Sequence, residues 1–116
     1  MPSTREPRAG EVWYVDFSPQ VGREQAGVRP ALVISNDRFN QVRNDLHIVV
    51  PITGTDRGLA YHVPVQAPEG GLKKDSQVMC EQVKSQSIHR FLRRQGEVTA
   101  PILNQVQEIV GTLIDR

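Results

Sequence analysis

Five short apolar runs, EVWYVDF (11–17), ALVIS (31–35), HIVVPIT (47–53), YHVPV (61–65) and SQVMCEQV (76–83), follow one another between turn sequences, and only the tail carries a helical period. Runs of this length, rich in β-branched residues and bounded by Gly, Pro, Asn and Asp, read as strands. In the first, Trp13, Val15 and Phe17 alternate with Val12, Tyr14 and Asp16, so two faces are set at once. Pro51 interrupts the third run and cannot donate to a ladder, which predicts a bulge or an edge there. QSIHRFL (86–92) offers a sixth strand. The polar segment NDRFNQVRND (36–45) has room for a helical turn that buries Phe39.

In the tail, Leu103, Val106, Val110 and Leu113 repeat at helical spacing, and Ile102, Ile109 and Ile114 widen the stripe. Thr99 can cap this helix, Pro101 is tolerated in its first turn, and Val98 can staple onto Leu103. Short strands followed by one amphipathic helix predict an α+β architecture: a small, strongly curved, mostly antiparallel β-barrel with a C-terminal α-helix packed against it.

A chain of 116 residues forms one domain, which buries roughly two-thirds of its unfolded surface. Residues 1–10, rich in Pro and Arg, read as a flexible lead-in to a domain over 11–116. Aromatics are only 5%, so Val, Ile and Leu must build the core. A single cysteine, Cys80, excludes an internal disulfide framework and fits a reducing cytoplasm. No apolar run approaches the ~20 residues that span a bilayer, and MPSTREPRAG lacks a hydrophobic leader core. These features predict a cytoplasmic protein without a membrane partner.

The net charge of +1 is unremarkable, but its distribution is uneven. From Gln82 to Gly96 there is no acid, while Lys84, His89, Arg90, Arg93 and Arg94 all fall there. Such a segment is either a solvated basic surface or an anion-binding face.

The sequence lacks a glycine-rich phosphate loop of the common kinds, Cys and His at zinc spacing, and an HExxH helix, so no metal or cofactor is expected. His47 and His62 fall in strands, as satisfied or exposed histidines, and Cys80 reads as a small buried hydrophobe. Chemistry is left to the loop VGREQAGVRPALVIS (21–35) and to the strand ends. Arg29 precedes Pro30, which forces it into an extended entry to a strand beginning at the proline. A guanidinium at such a rim can clamp a phosphate through parallel hydrogen bonds and stays charged at any working pH. Gly22 and Gly27 bracket Arg23–Ala26, so Glu24 and Gln25 can swing toward Arg29. Thr53, just before Gly54, presents a hydroxyl from a strand terminus.

In order and spacing, GEVWYVDFSPQVGREQAGVRPALVISNDRFN, VVPIT and CEQVKS resemble the MazF/PemK family of toxin endoribonucleases, and the ending GTLIDR is similar to that family's helix terminus. The likeness runs from Gly10 to the C-terminus, with Glu24–Pro30 supplying the segment E-Q-x-G-x-R-P. It implies the plasmid-maintenance-toxin fold, related to SH3-like barrels, working as a homodimer. It implies a type II toxin that cleaves single-stranded RNA, as mRNA, at short sequences without a metal, arresting translation and growth. It also implies a MazE-like antitoxin whose acidic and apolar tail lies across the RNA groove. By position, Arg29 matches the family's catalytic arginine and Thr53 its catalytic threonine. Glu24 and Gln25 match loop residues that contact RNA, and Glu81 and Gln82 a pair that touches bases. Lys84 and Ser85 complete the implied RNA-binding set.

Two positions depart from that pattern. Lys84 stands where the family often has arginine, keeping a point charge without the fork. The acid often found just beyond is missing, with Gln86 and Ser87 there instead, so a general base must lie elsewhere; Glu24, the carboxylate nearest Arg29 in sequence, is assigned that role. A rival on the same fold is a non-enzymatic, CcdB-like gyrase-binding toxin, which has no use for a phosphate clamp at the barrel mouth. A third reading, an SH3-like peptide-binding module, calls for an aromatic-lined groove that 5% aromatics fits poorly.

Overall fold

A computed structural model describes residues 6–18, 27–42 and 45–115. β1 (Glu11–Asp16) and β2 (Val28–Val33) pair antiparallel, and the short helix α1 (Asp37–Val42) leads to β3 (Leu46–Thr53). β4 (His62–Val65), β5 (Ser76–Met79), β6 (Lys84–Ser87) and β7 (Phe91–Glu97) follow, and α2 (Ala100–Ile114) ends the chain. The strands form one 7-stranded antiparallel sheet in the order β4-β5-β3-β2-β1-β7, with β6 also on β3. No ladder among the described residues joins the two outer strands. The circuit β7-β1-β2-β3-β6 is instead closed by the chain itself, through the 3-10 turn Ile88–Arg90 between β6 and β7. The result is the barrel-like α+β fold expected, with a gap in its hydrogen bonding.

Two expected strands are broken. The run 76–83 stops at Met79, turns through Cys80–Gln82 and resumes as β6. The run 86–92 is split by the turn at Ile88–Arg90, whose entry Ser87 caps by accepting the His89 N–H at 3.1 Å. Pro51 explains the first break. Ile34 donates to the Ile48 carbonyl, so along β3 residues 48 and 50 address β2, while 49, 51 and 53 address the other side. There β6 reaches only to Val49 and β5 begins at Ile52. Pro51, with no N–H to offer, sits in the handover between the two partners, neither a bulge nor a sheet edge.

Two apolar clusters lie on opposite faces of the central strands. Val15, Phe17, Ala31, Val33 and Val49, with Trp13 and Phe91, fill the circuit. Val12, Leu32, Val50, Ile52, Val63 and Val78 are covered on the other side by α2, whose Val106 is fully buried. Ile102, Leu103, Ile109 and Val110 pack against this cluster, but Leu113 and Ile114, in the last turn, are exposed. Thr99 occupies the cap position without capping: its hydroxyl and N–H both donate to the Glu69 carboxylate, at 3.0 and 2.8 Å.

In α1 it is Asn40 rather than Phe39 that is buried, because its side chain exchanges hydrogen bonds with Ser35. Among the described residues no helix is long and apolar enough to cross a membrane.

Candidate functional site

The site begins with a proline. The same alternation that directs Ile34 toward β3 directs Pro30 there too, and Pro30 has no N–H to give. The β2–β3 ladder accordingly ends at Ala31↔Pro51, while β1 stays paired with β2 through Asp16↔Val28. β2 therefore starts at Val28, two residues before the predicted Pro30, with Arg29 held by its register opposite Val15. Gly27, at φ +78, turns the chain into the strand, and its carbonyl accepts the Phe17 N–H at 2.9 Å.

Where β2 and β3 part, a cleft of about 410 Å³ opens, lined among others by Tyr14, Arg29, Thr53, Gly54, Lys74 and Gln95. Arg29 and Thr53 thus share one cleft. Continuing the Ala31↔Pro51 register by two residues brings them opposite each other. Thr53 is largely buried, and its hydroxyl oxygen accepts the Thr55 N–H at 3.2 Å. The hydroxyl proton is left to donate, so Thr53 can hold an anionic oxygen but is poorly placed to act as a base.

Glu24 and Gln25 lie outside the described residues. Glu81, Gln82, Lys84 and Ser85 do not line the cleft. Lys84 and Ser85 pair with Val49 and Ile48, and Val49 lies about 13 Å along β3 from Thr53. Lys84 Nζ rests 5.6 Å from the centre of the Phe17 ring. Glu81, on the turn after β5, is held by the nearly buried His62, whose Nε2 stands 3.0 and 3.1 Å from its two oxygens. His62 is a satisfied histidine through that nitrogen. His47 is neither satisfied nor exposed: it is fully buried, and neither ring nitrogen has a hydrogen bond among the described residues. Its ring packs edge-on to Phe91 at 5.3 Å, serving as a core aromatic. Cys80 is buried as expected, and desolvation followed by the nearby Glu81 charge pushes its thiol up to about 11.

The acid-free segment is largely committed to the chain's own groups. Arg90 donates to the Ser18 carbonyl, Arg93 lies 4.5 Å over the Tyr14 ring, and Arg94 pairs with Glu11 at 3.1 Å and with Glu97 at 2.6 Å. The cations of the cleft come from elsewhere: Arg29 with Lys73 and Lys74. Sequence reasoning missed the two lysines, and Tyr14 and Gln95 with them. The pair KK in the turn-rich APEGGLKKD was the only available signal, and nothing in it pointed to Thr53.

The family model described as "PemK-like, MazF-like toxin of type II toxin-antitoxin system" matches residues 8–114. The endoribonuclease MazF9 of Mycobacterium tuberculosis is 36% identical over 113 residues, covering 93% of this chain and 96% of that protein. The crystal structure of MazF (form I) from Deinococcus radiodurans superposes with a TM-score of 0.85 at 30% identity, covering 96% of this chain and 98% of that one. A MazE-MazF crystal structure (form II) from the same organism gives 0.75 at 26% identity, covering 96% of this chain and 97% of its match. The chain belongs to the PemK-like, MazF-like toxins of type II toxin–antitoxin systems.

Proposed function

We propose that this toxin is a metal-independent endoribonuclease of single-stranded cytoplasmic RNA. The observation that carries the reading is the meeting of Arg29 and Thr53 on one cleft at the end of the β2–β3 ladder. RNA supplies its own nucleophile, so the protein must align, deprotonate and neutralise rather than attack. The 2′-oxygen bonds to phosphorus as its proton passes to a base, and the P–O5′ bond breaks as that oxygen gains a proton. The products are a 2′,3′-cyclic phosphate and a 5′-hydroxyl.

Arg29 stabilises the charge growing on the phosphoryl oxygens, and the free Thr53 proton holds one of them in place. Glu24 is the proposed base. Gln25, Glu81 and Gln82 read base edges, and Lys84 and Ser85 hold the backbone. Because the latter four lie away from the cleft within one chain, the reading includes a homodimer that joins two such faces into one groove. The MazE-MazF structure similar to this chain supports a MazE-like antitoxin as the partner that covers it.

The purified protein is expected to cleave a mixed single-stranded RNA pool in EDTA, with 5′-hydroxyl ends, and to leave the DNA equivalent intact. Arg29→Ala is expected to lose at least ~100-fold in rate. Failure of the wild type to cut any RNA overturns the nuclease reading; undiminished cutting by the variant removes Arg29 from it.

A further inference from the structure

On the opposite side of Thr53 from β2, the loop between β4 and β5 reaches into the cleft with Lys74. This lysine is set in place by three local features. Ser76 donates its hydroxyl to the Lys74 carbonyl at 2.9 Å, and the Asp75 carboxylate accepts the Ala67 N–H at 3.0 Å, which ties the loop back on itself. Leu72, buried in the core, anchors its other side.

Gly54 supplies the space. A Cβ there would collide with Lys74 Cε and stand 2.7 Å from Nζ, so the side chain lies flat across the backbone immediately after Thr53. Only a residue without a side chain permits that approach. Lys74 forms no ion pair with a described carboxylate, although it follows a loop that contains Glu69 and precedes Asp75. A cation held over glycine, beside a hydroxyl with a free proton, has the chemistry of an anion contact.

We infer that Lys74 is a phosphate-binding residue of this cleft, contacting the same RNA phosphate that Thr53 holds. The inference rests on the nuclease reading for the identity of the anion. Arg29 approaches that phosphate from the β2 side as a planar fork, and Lys74 approaches from the β4–β5 loop as a point charge. Two nonbridging oxygens can then be met by two cations, with Thr53 between them.

The test uses full-length protein and two variants. Lys74→Gln removes the charge at an exposed position, so the fold is not at stake. Gly54→Ala keeps the net charge but drives the lysine off its seat; the colliding atoms are the far end of a flexible chain, and Gly54 has no positive φ to lose. Binding is read by fluorescence anisotropy on a mixed pool of fully 2′-O-methylated single strands, which cannot be cleaved, across a salt series. Cleavage is read separately on the unmodified pool.

Lys74→Gln is expected to bind at least tenfold more weakly at low salt and to reduce the slope of log K against log salt by about 0.7, one single-strand phosphate contact. Gly54→Ala is expected to weaken binding severalfold. Affinity and slope within twofold of wild type for Lys74→Gln overturn the inference and leave the nuclease reading intact. Weak binding by Lys74→Gln with wild-type binding by Gly54→Ala also overturns it, since charge at a distance would then suffice. Lys74-dependent binding by a wild-type protein that cuts no RNA supports the anion site and sinks the nuclease reading instead.

Discussion

The Thr53 hydroxyl oxygen accepts the backbone N–H of Thr55 at 3.2 Å, which leaves its proton to donate. This makes Thr53 a donor, and a donor can be removed without changing the shape of the cleft. Thr53→Val is expected to lower the single-turnover cleavage rate about 100-fold while changing affinity for a 2′-O-methylated strand less than threefold. Thr53→Ser is expected to retain most of the rate. A valine variant defective only in affinity would show that the hydroxyl binds substrate and transition state equally.

Glu11 is the polar hub of the β1–β7 edge. Its nearly buried carboxylate accepts the Arg8 N–H at 3.0 Å, the Trp13 indole N–H at 3.0 Å and Arg94 Nε at 3.1 Å. Glu11→Ala leaves those donors without their acceptor, and is expected to cost about 2–3 kcal/mol in urea unfolding, with an unchanged m-value. A loss below about 0.5 kcal/mol would mean that water replaces the carboxylate freely.

His47 predicts a pH dependence of stability. Desolvation holds its pKa below the ordinary 6.5, against weaker raising effects from the Glu6 carboxylate and the Pro7 backbone. The unfolded ring takes up a proton as pH falls through 6.5, whereas the folded ring does so only at lower pH. The stabilising contribution is therefore present above that pH and is lost as pH falls below it. The melting temperature of the wild type is expected to fall more steeply between pH 7.5 and 5.5 than that of His47→Leu; parallel curves contradict it.

Cys80 is expected to be silent. With its thiol pushed up to about 11, only about one molecule in a thousand carries the thiolate at pH 8. An aromatic disulfide reagent is expected to label the native protein at least ~100-fold more slowly than the urea-unfolded chain. Rapid native labelling would place the thiol at the surface.

β6 and β7 contain no β-branched residue, and residues 93–97 carried no strand signal, whereas strand-forming composition was readable in β1 to β5, because β-branched residues carry that preference locally. The interruptions were not. The turns at Cys80–Gln82 and Ile88–Arg90 consist of residues a strand accepts equally well, and the first is imposed by which partner β3 has available on either side of Pro51. Arg29 and Thr53 could be named because each is marked by its neighbour, Pro30 and Gly54. Lys74 could not, since its meaning depends on a tertiary approach to Gly54 that no local pattern encodes. His47 failed for a related reason: alternation says which face a side chain takes, but not whether a hydrogen-bonding partner waits there.

Pro30 lines the cleft without supplying a reacting group to this scheme, yet it decides where the wall of the barrel ends and its doorway begins. An amide proton at that one position would let two neighbouring strands zip further toward their tips and narrow the entrance from within. For the RNA proposed to enter here, access is set by an atom the backbone lacks, and Pro30→Ala is expected to lower the cleavage rate while every catalytic side chain in the scheme stays the same.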